Sequence, residues 1–152
     1  MKKLTVILML SFAAPGVYAQ ESMQQVMETR AREMHRVICL SDKAQWKKFI
    51  TENYSQTLID RPMQSRLQKD DNAGTISEKK ETDNNLDGKV NMLERLHNDF
   101  GDSKIVSIKP DGEKIVMELN SGDFSGTFNL KFSSTKPYLI ESLGIQIERG
   151  NN

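Results

Sequence analysis

One stretch of the chain spaces its oxygen-bearing side chains as a hard cation needs them. Residues 83–94 read DNNLDGKVNMLE and satisfy the calcium-loop template D-x-[DN]-x-[DN]-G-x5-E. Asp83, Asn85 and Asp87 would supply side-chain oxygens, Lys89 its carbonyl and Glu94 a bidentate carboxylate, with Gly88 at the sharp turn. Ca²⁺ takes six or more oxygens, and a loop of this spacing converges them. Other features of the stretch oppose this. Leu86 stands where a polar residue is usual, Arg95 follows Glu94 where an apolar one is usual, and SEKKET (77–82) lacks the periodicity of an entering helix. The chain holds no second loop of this kind. The alternative is a polar loop in which Asp87 caps a following helix.

Elsewhere the reactive residue types are sparse. His35 and His97 are the only histidines, and neither has the H-x-x-x-H partner that zinc would ask for. His97 lies one position off an apolar helical stripe, where it would be a structural histidine or face a cavity. Ser77–Lys80 and Ser133–Lys136 both match S-x-x-K. One falls in a polar stretch and the other in a strand connection, without the companion motifs that a serine nucleophile needs. Cys39 is the one cysteine, set among Val37, Ile38 and Leu40. It can form no disulfide within the chain and reads as a buried, inert thiol. No catalytic set assembles from these residues.

Composition narrows the classes further. The chain has 152 residues with 21 Lys+Arg against 21 Asp+Glu, room for one domain without the basic excess of a nucleic-acid binder. Residues 1–19 read as a signal peptide: Lys2 and Lys3, the apolar run Leu4–Ala14, the break Pro15-Gly16, then Val17-Tyr18-Ala19 with cleavage expected after Ala19. Its removal leaves 19 basic against 21 acidic residues and a net charge of −2. Position 20 is Gln rather than the Cys of a lipid anchor. The expected location is therefore the periplasm or the medium, with no membrane-embedded segment after cleavage.

The elements that must position these residues follow from periodicity. Met23, Val26, Met27, Ala31, Met34, Val37 and Ile38 recur at helical spacing, and so do Trp46, Phe49, Ile50 and Tyr54 after a break at Ser41-Asp42, with Ser41 as the expected cap. Residues 55–67 are ambiguous between helix and strand, and 68–89 form a polar excursion too poor in apolar residues to offset its ordering entropy. Val90, Leu93, Leu96 and Phe100 predict a third helix over 88–100. The period then becomes alternating. Strands are predicted over 104–109, 113–120, 124–132 and 138–148, with turns at Pro110-Asp111-Gly112 and Ser121-Gly122-Asp123 and a bulge at Gly144. Residues 20–152 thus make a single α+β domain, with N-terminal helices on the apolar face of a curved antiparallel sheet of four or more strands.

This order of elements resembles the nuclear-transport-factor-2-like, or cystatin-like, superfamily, in which a curved sheet wraps a long helix into a cone. The resemblance covers about residues 22–148. LERLHNDFGDSKIVSIKPDG (93–112) and KPYLIESLGIQIE (136–148) look like the small secreted domain of this fold that often precedes serine hydrolases of the β-lactamase type. The resemblance implies a fold and an accessory or binding role, and it carries no catalytic residues. No hydrolase domain lies within these 152 residues.

Three functions are in view. The first is a non-catalytic binding or accessory module that takes a small apolar ligand or an exported protein partner in its cone. Its pocket would be lined by Phe124, Phe128, Leu130 and Ile145, with His97, Tyr54 and Tyr138 as polar contacts. The second is a small enzyme of the same fold using a cavity His or Tyr. The third is a Ca²⁺-binding interaction module through residues 83–94. A homodimer through an exposed sheet face would also suit the fold.

Overall fold

The computed structural model describes residues 22–62, 85–122 and 124–149. The expected signal peptide, Asp83 and residues 68–84 of the polar excursion lie outside them. The elements run α1 (Met23–Ile38), α2 (Lys43–Asn53), α3 (Gln56–Asp60), α4 (Asn85–Phe100), β1 (Lys104–Asp111), β2 (Lys114–Asn120), β3 (Phe124–Phe132) and β4 (Ile140–Arg149). The sheet has the order β1-β2-β3-β4 and every pairing is antiparallel. Helices first, then a four-stranded meander, is the expected α+β class.

The caps show why the helices begin where they do. Ser22 opens α1 with a capping box: its hydroxyl accepts from the Gln25 backbone, and the Gln25 side chain accepts from the Ser22 N–H. Asp42, not Ser41, caps α2, because its carboxylate accepts from the N–H groups of both Ala44 and Gln45. Ser55 caps the short α3, so the ambiguous stretch begins as a helical turn, and its residues 63–67 lie outside the described residues. Just before it, Tyr54 forms a lone parallel bridge with Ile140, and Ser55 N–H donates to the Ile140 carbonyl at 2.8 Å. The helical layer is thereby stitched to β4.

The third predicted helix starts at Asn85, three residues earlier than its apolar stripe indicates. Long-range bonds hold this polar first turn. The Asn85 amide donates to the Asp60 carbonyl at 2.9 Å, and the Lys89 ammonium donates to the Arg61 carbonyl at 2.8 Å. They offset the roughly 1 kcal/mol that Gly88 costs inside a helix.

One contiguous core lies between helices and sheet. It is built from Met27, Ala31, Met34, Val37 and Ile38 of α1, Trp46, Phe49 and Ile50 of α2, and Leu93, Leu96 and Phe100 of α4. The sheet adds Ile115, Met117, Leu119, Phe128, Leu130, Phe132 and Ile140. At Gly126 the β3 backbone passes so close to Phe100 that an added Cβ would lie 2.6 Å from its ring. Phe100 meets Phe128 edge-on at 5.5 Å.

The sheet is irregular in two places, neither at Gly144. Between Ile105 and Ser107 the register of β1 on β2 shifts, leaving Val106 as the extra residue, 63% exposed on the outer edge. The second shift sets Lys131 opposite Ser142 and Phe132 opposite Ile140, so Glu141 is extra. That extra residue lets Ile140 and Leu143 both turn toward the helices. Gly144 sits in regular register with Asn129. The first hairpin is also tighter than expected: β1 runs on to Asp111, and the turn is Gly112-Glu113, with Gly112 at φ 59°.

Candidate functional site

A cavity of about 220 Å³ opens where α3, the start of α4 and β4 meet. Tyr54, Leu58, Arg61, Pro62, Lys89, Met92, Ser142 and Leu143 line it. Each wall has a local cause. Pro62 follows the short α3 and ends it. Lys89 lies four residues before Leu93 on the buried stripe of α4, so the helix turns its side chain inward, where the residue is only 3% exposed. Leu143 faces the cavity because of the extra residue at Glu141.

Two of these lining residues, Tyr54 and Lys89, bury polar groups. Tyr54 is 2% exposed, and its hydroxyl has no hydrogen-bond partner. Burial pushes the phenol well above its ordinary range. Burial also pushes the Lys89 ammonium down, and the neighbouring Arg61 charge adds to that. A buried hydroxyl without a partner costs about 1–3 kcal/mol. Folding alone does not explain why a tyrosine rather than a phenylalanine occupies position 54.

The remaining predicted pocket residues scatter. Phe128 and Leu130 are fully buried and belong to the filled core. Phe124 and Ile145 are half-buried at its margin. Tyr138 is half-buried in the β3–β4 connection, with φ 54°. The structure therefore does not gather these residues with Tyr54 under the sheet, because aromatic and aliphatic side chains close that space.

His97 is placed by another relation. Its Nδ1 donates to the Ile38 carbonyl at 2.8 Å, and its ring lies 5.7 Å from the Trp46 ring. It also borders an open, polar depression of about 500 Å³ with Cys39, Asn98, Asp99, Gly101, Asp102, Ser121 and Phe124. His35 donates from Nε2 to the Ser103 carbonyl at 3.0 Å, with the Cys39 sulfur 3.5 Å away. Cys39 is half-buried rather than buried. Burial raises its thiol pKa and the charge of Asp102 adds to this, the opposite of nucleophile activation.

Of the residues proposed for Ca²⁺, Asn85, Asp87, Lys89 and Glu94 lie on α4, and Asp83 lies outside the described residues. From Asn85 onward the backbone is helical, so Asn85, Asp87 and Lys89 are separated by about 200° per step and do not converge. Asn85 and Asp87 are exposed, and Asp87 stands in the first turn rather than at the cap. Glu94 pairs with Lys43 at 2.9 Å. Among the described residues, no group of three or more His, Cys, Asp or Glu is placed to hold a metal ion. No described helix is long and apolar enough to cross a membrane.

Sequence reasoning named Tyr54 and reached Lys89 only through its carbonyl. It missed Leu58, Arg61, Met92, Ser142 and Leu143. One signal was available: Lys89, Leu93, Leu96 and Phe100 share one helical stripe, so a lysine was already marked as inward-facing. Comparisons with protein-family models, curated proteins and solved structures find no match.

Proposed function

We propose that the chain is a non-catalytic binding module, exported after cleavage behind Ala19, whose cavity between α3, α4 and β4 takes a small, largely apolar ligand. The domain would be a cone of the nuclear-transport-factor-2-like kind, acting as an accessory to an exported partner. The order of helices and meander supports that assignment. The observation that carries the binding reading is the cavity itself: apolar walls from Leu58, Met92 and Leu143 with a few polar groups at fixed positions. Ligand sites commonly have this composition. His97 is engaged with the Ile38 carbonyl, so the enzyme reading gains nothing from it.

The test is a titration of the purified mature chain with small uncharged apolar probes such as hexanol, followed by NMR. Saturable shifts confined to the methyls of Leu58, Met92 and Leu143 are expected. Unchanged shifts at millimolar probe, with hexanoate equally silent, would overturn the binding reading.

A further inference from the structure

Among the described residues the sheet ends in two edge strands, β1 and β4, and the two differ. β1 carries devices that keep an edge from pairing. The extra residue Val106 breaks its register, Pro110 lacks an N–H, and Lys104 and Lys109 add charge. From Leu143 to Arg149, β4 has no proline, no lysine and no register shift against β3. The direction of its backbone groups follows from β3. Phe132 N–H donates to the Glu113 carbonyl, and the Phe124 carbonyl accepts from Ser121 N–H. Even-numbered residues of β3 therefore face β2, and the odd-numbered ones bond Gly144, Gln146 and Glu148 of β4. That leaves Leu143, Ile145, Ile147 and Arg149 turning N–H and C=O to the open edge. Among the described residues, the backbone bond on that side of β4 is the one from Ser55 to Ile140, just before this stretch. The same edge is apolar on its helix side. Leu143 and Ile145 are half-buried, and Ile147 is 45% exposed.

We propose that β4 pairs antiparallel with β4 of a second copy, about a twofold axis at Ile145. The strand is self-complementary in that register. Ile145 meets its own counterpart, Leu143 stands opposite the partner's Ile147, and Glu141 stands opposite the partner's Arg149. The twofold repeats each relation, so a carboxylate faces a guanidinium at both ends of the paired stretch. A shift of two residues either way parts these charges and sets Arg149 opposite Leu143 or Leu139. Arg149 lies over the Phe124 ring at 5.5 Å, which keeps it on the helix side of the sheet. Its guanidinium has N–H groups to spare for a carboxylate. The pairing makes one continuous eight-stranded sheet, and it closes at two copies because both β4 edges are used.

Sedimentation velocity of the mature chain, from micromolar to millimolar concentration, should show a monomer–dimer equilibrium. Isotope-filtered NMR on mixed labelled and unlabelled chains locates the interface. Gly144 and the partner's Gln146 would form a close non-hydrogen-bonded pair, so their Hα atoms should show an intermolecular contact. Arg149→Glu and Glu141→Arg should each weaken the dimer about tenfold by setting like charges opposite one another. The double variant Glu141→Arg, Arg149→Glu should restore it. Unchanged amide spectra at low concentration show that each variant folds. A chain that stays monomeric at millimolar concentration overturns the proposal. So does a dimer without the Gly144–Gln146 contact, or one that survives both single charge reversals. A double variant no better than the single ones overturns the register.

Discussion

His97 on α4 donates from Nδ1 to the Ile38 carbonyl at the end of α1, across 2.8 Å. Helix C-termini leave carbonyls without intrahelical partners, and a side chain from another helix satisfies one here. The bond fixes the crossing of α1 and α4 and holds the imidazole against Trp46. His97→Leu keeps the volume and removes the donor. It should destabilise the chain by about 1–3 kcal/mol, the cost of leaving a carbonyl unsatisfied. Urea unfolding measures this. Hexanol binding should be unchanged, since His97 is not a wall of the α3–α4–β4 cavity.

Gly126 and Phe100 make a second prediction. A Cβ at position 126 would lie 2.6 and 2.9 Å from Phe100 ring atoms, and Phe100 is fully buried. Gly126→Ala should cost about 1–3 kcal/mol through overpacking. The double variant Gly126→Ala, Phe100→Leu should lose less than the sum of the two single changes, because the shortened side chain makes room. A sum that is simply additive would mean that the strand shifts instead.

Most of the fold is legible in these residues. The helical stripe from Met27 to Ile38 and the alternation of Phe124, Gly126, Phe128, Leu130 and Phe132 each report one buried face, and both faces are buried where expected. The site is less legible, for two physical reasons. Phe128 and Leu130 are apolar whether they line a cavity or fill a core, and only packing decides between these; here they fill it. The start of α4 is polar by composition and is held by bonds to Asp60 and Arg61, residues 25 and 28 positions earlier, which no local period reports. A metal template was readable in that same stretch because helix and loop cannot be told apart from the ligand spacing alone.

The Cys39 thiol should react slowly. Its pKa is raised by burial and by Asp102, so less thiolate is present at neutral pH than in a free cysteine. Alkylation by iodoacetamide at neutral pH should be roughly threefold or more slower than for a cysteine in a short peptide. Asp102→Asn removes the negative charge and should speed it. A reaction as fast as the peptide's would mean that His35, at 3.5 Å, activates the sulfur after all.

Tyr54→Phe tests the cost of the buried hydroxyl. The hydroxyl is buried without a partner, so deleting it removes an uncompensated polar group. The variant should be more stable at pH 7, by about 1 kcal/mol, as chemical unfolding would measure. Alkaline pH gives an independent reading of the same group. Burial raises the folded-state pKa of Tyr54 above the ordinary value of 10.0. Below pH 10 the phenol is protonated in both folded and unfolded chains and adds no slope. Above it the unfolded chain releases the proton and the folded chain keeps it. Stability then falls by about 1.4 kcal/mol per pH unit from this group alone, until the folded phenol itself ionises. Chemical unfolding of the unaltered chain and of Tyr54→Phe across pH 9–11 should therefore diverge, with the variant losing stability less steeply. Parallel curves would mean that the phenol reaches solvent in the folded chain, and the buried-hydroxyl argument would fail with them.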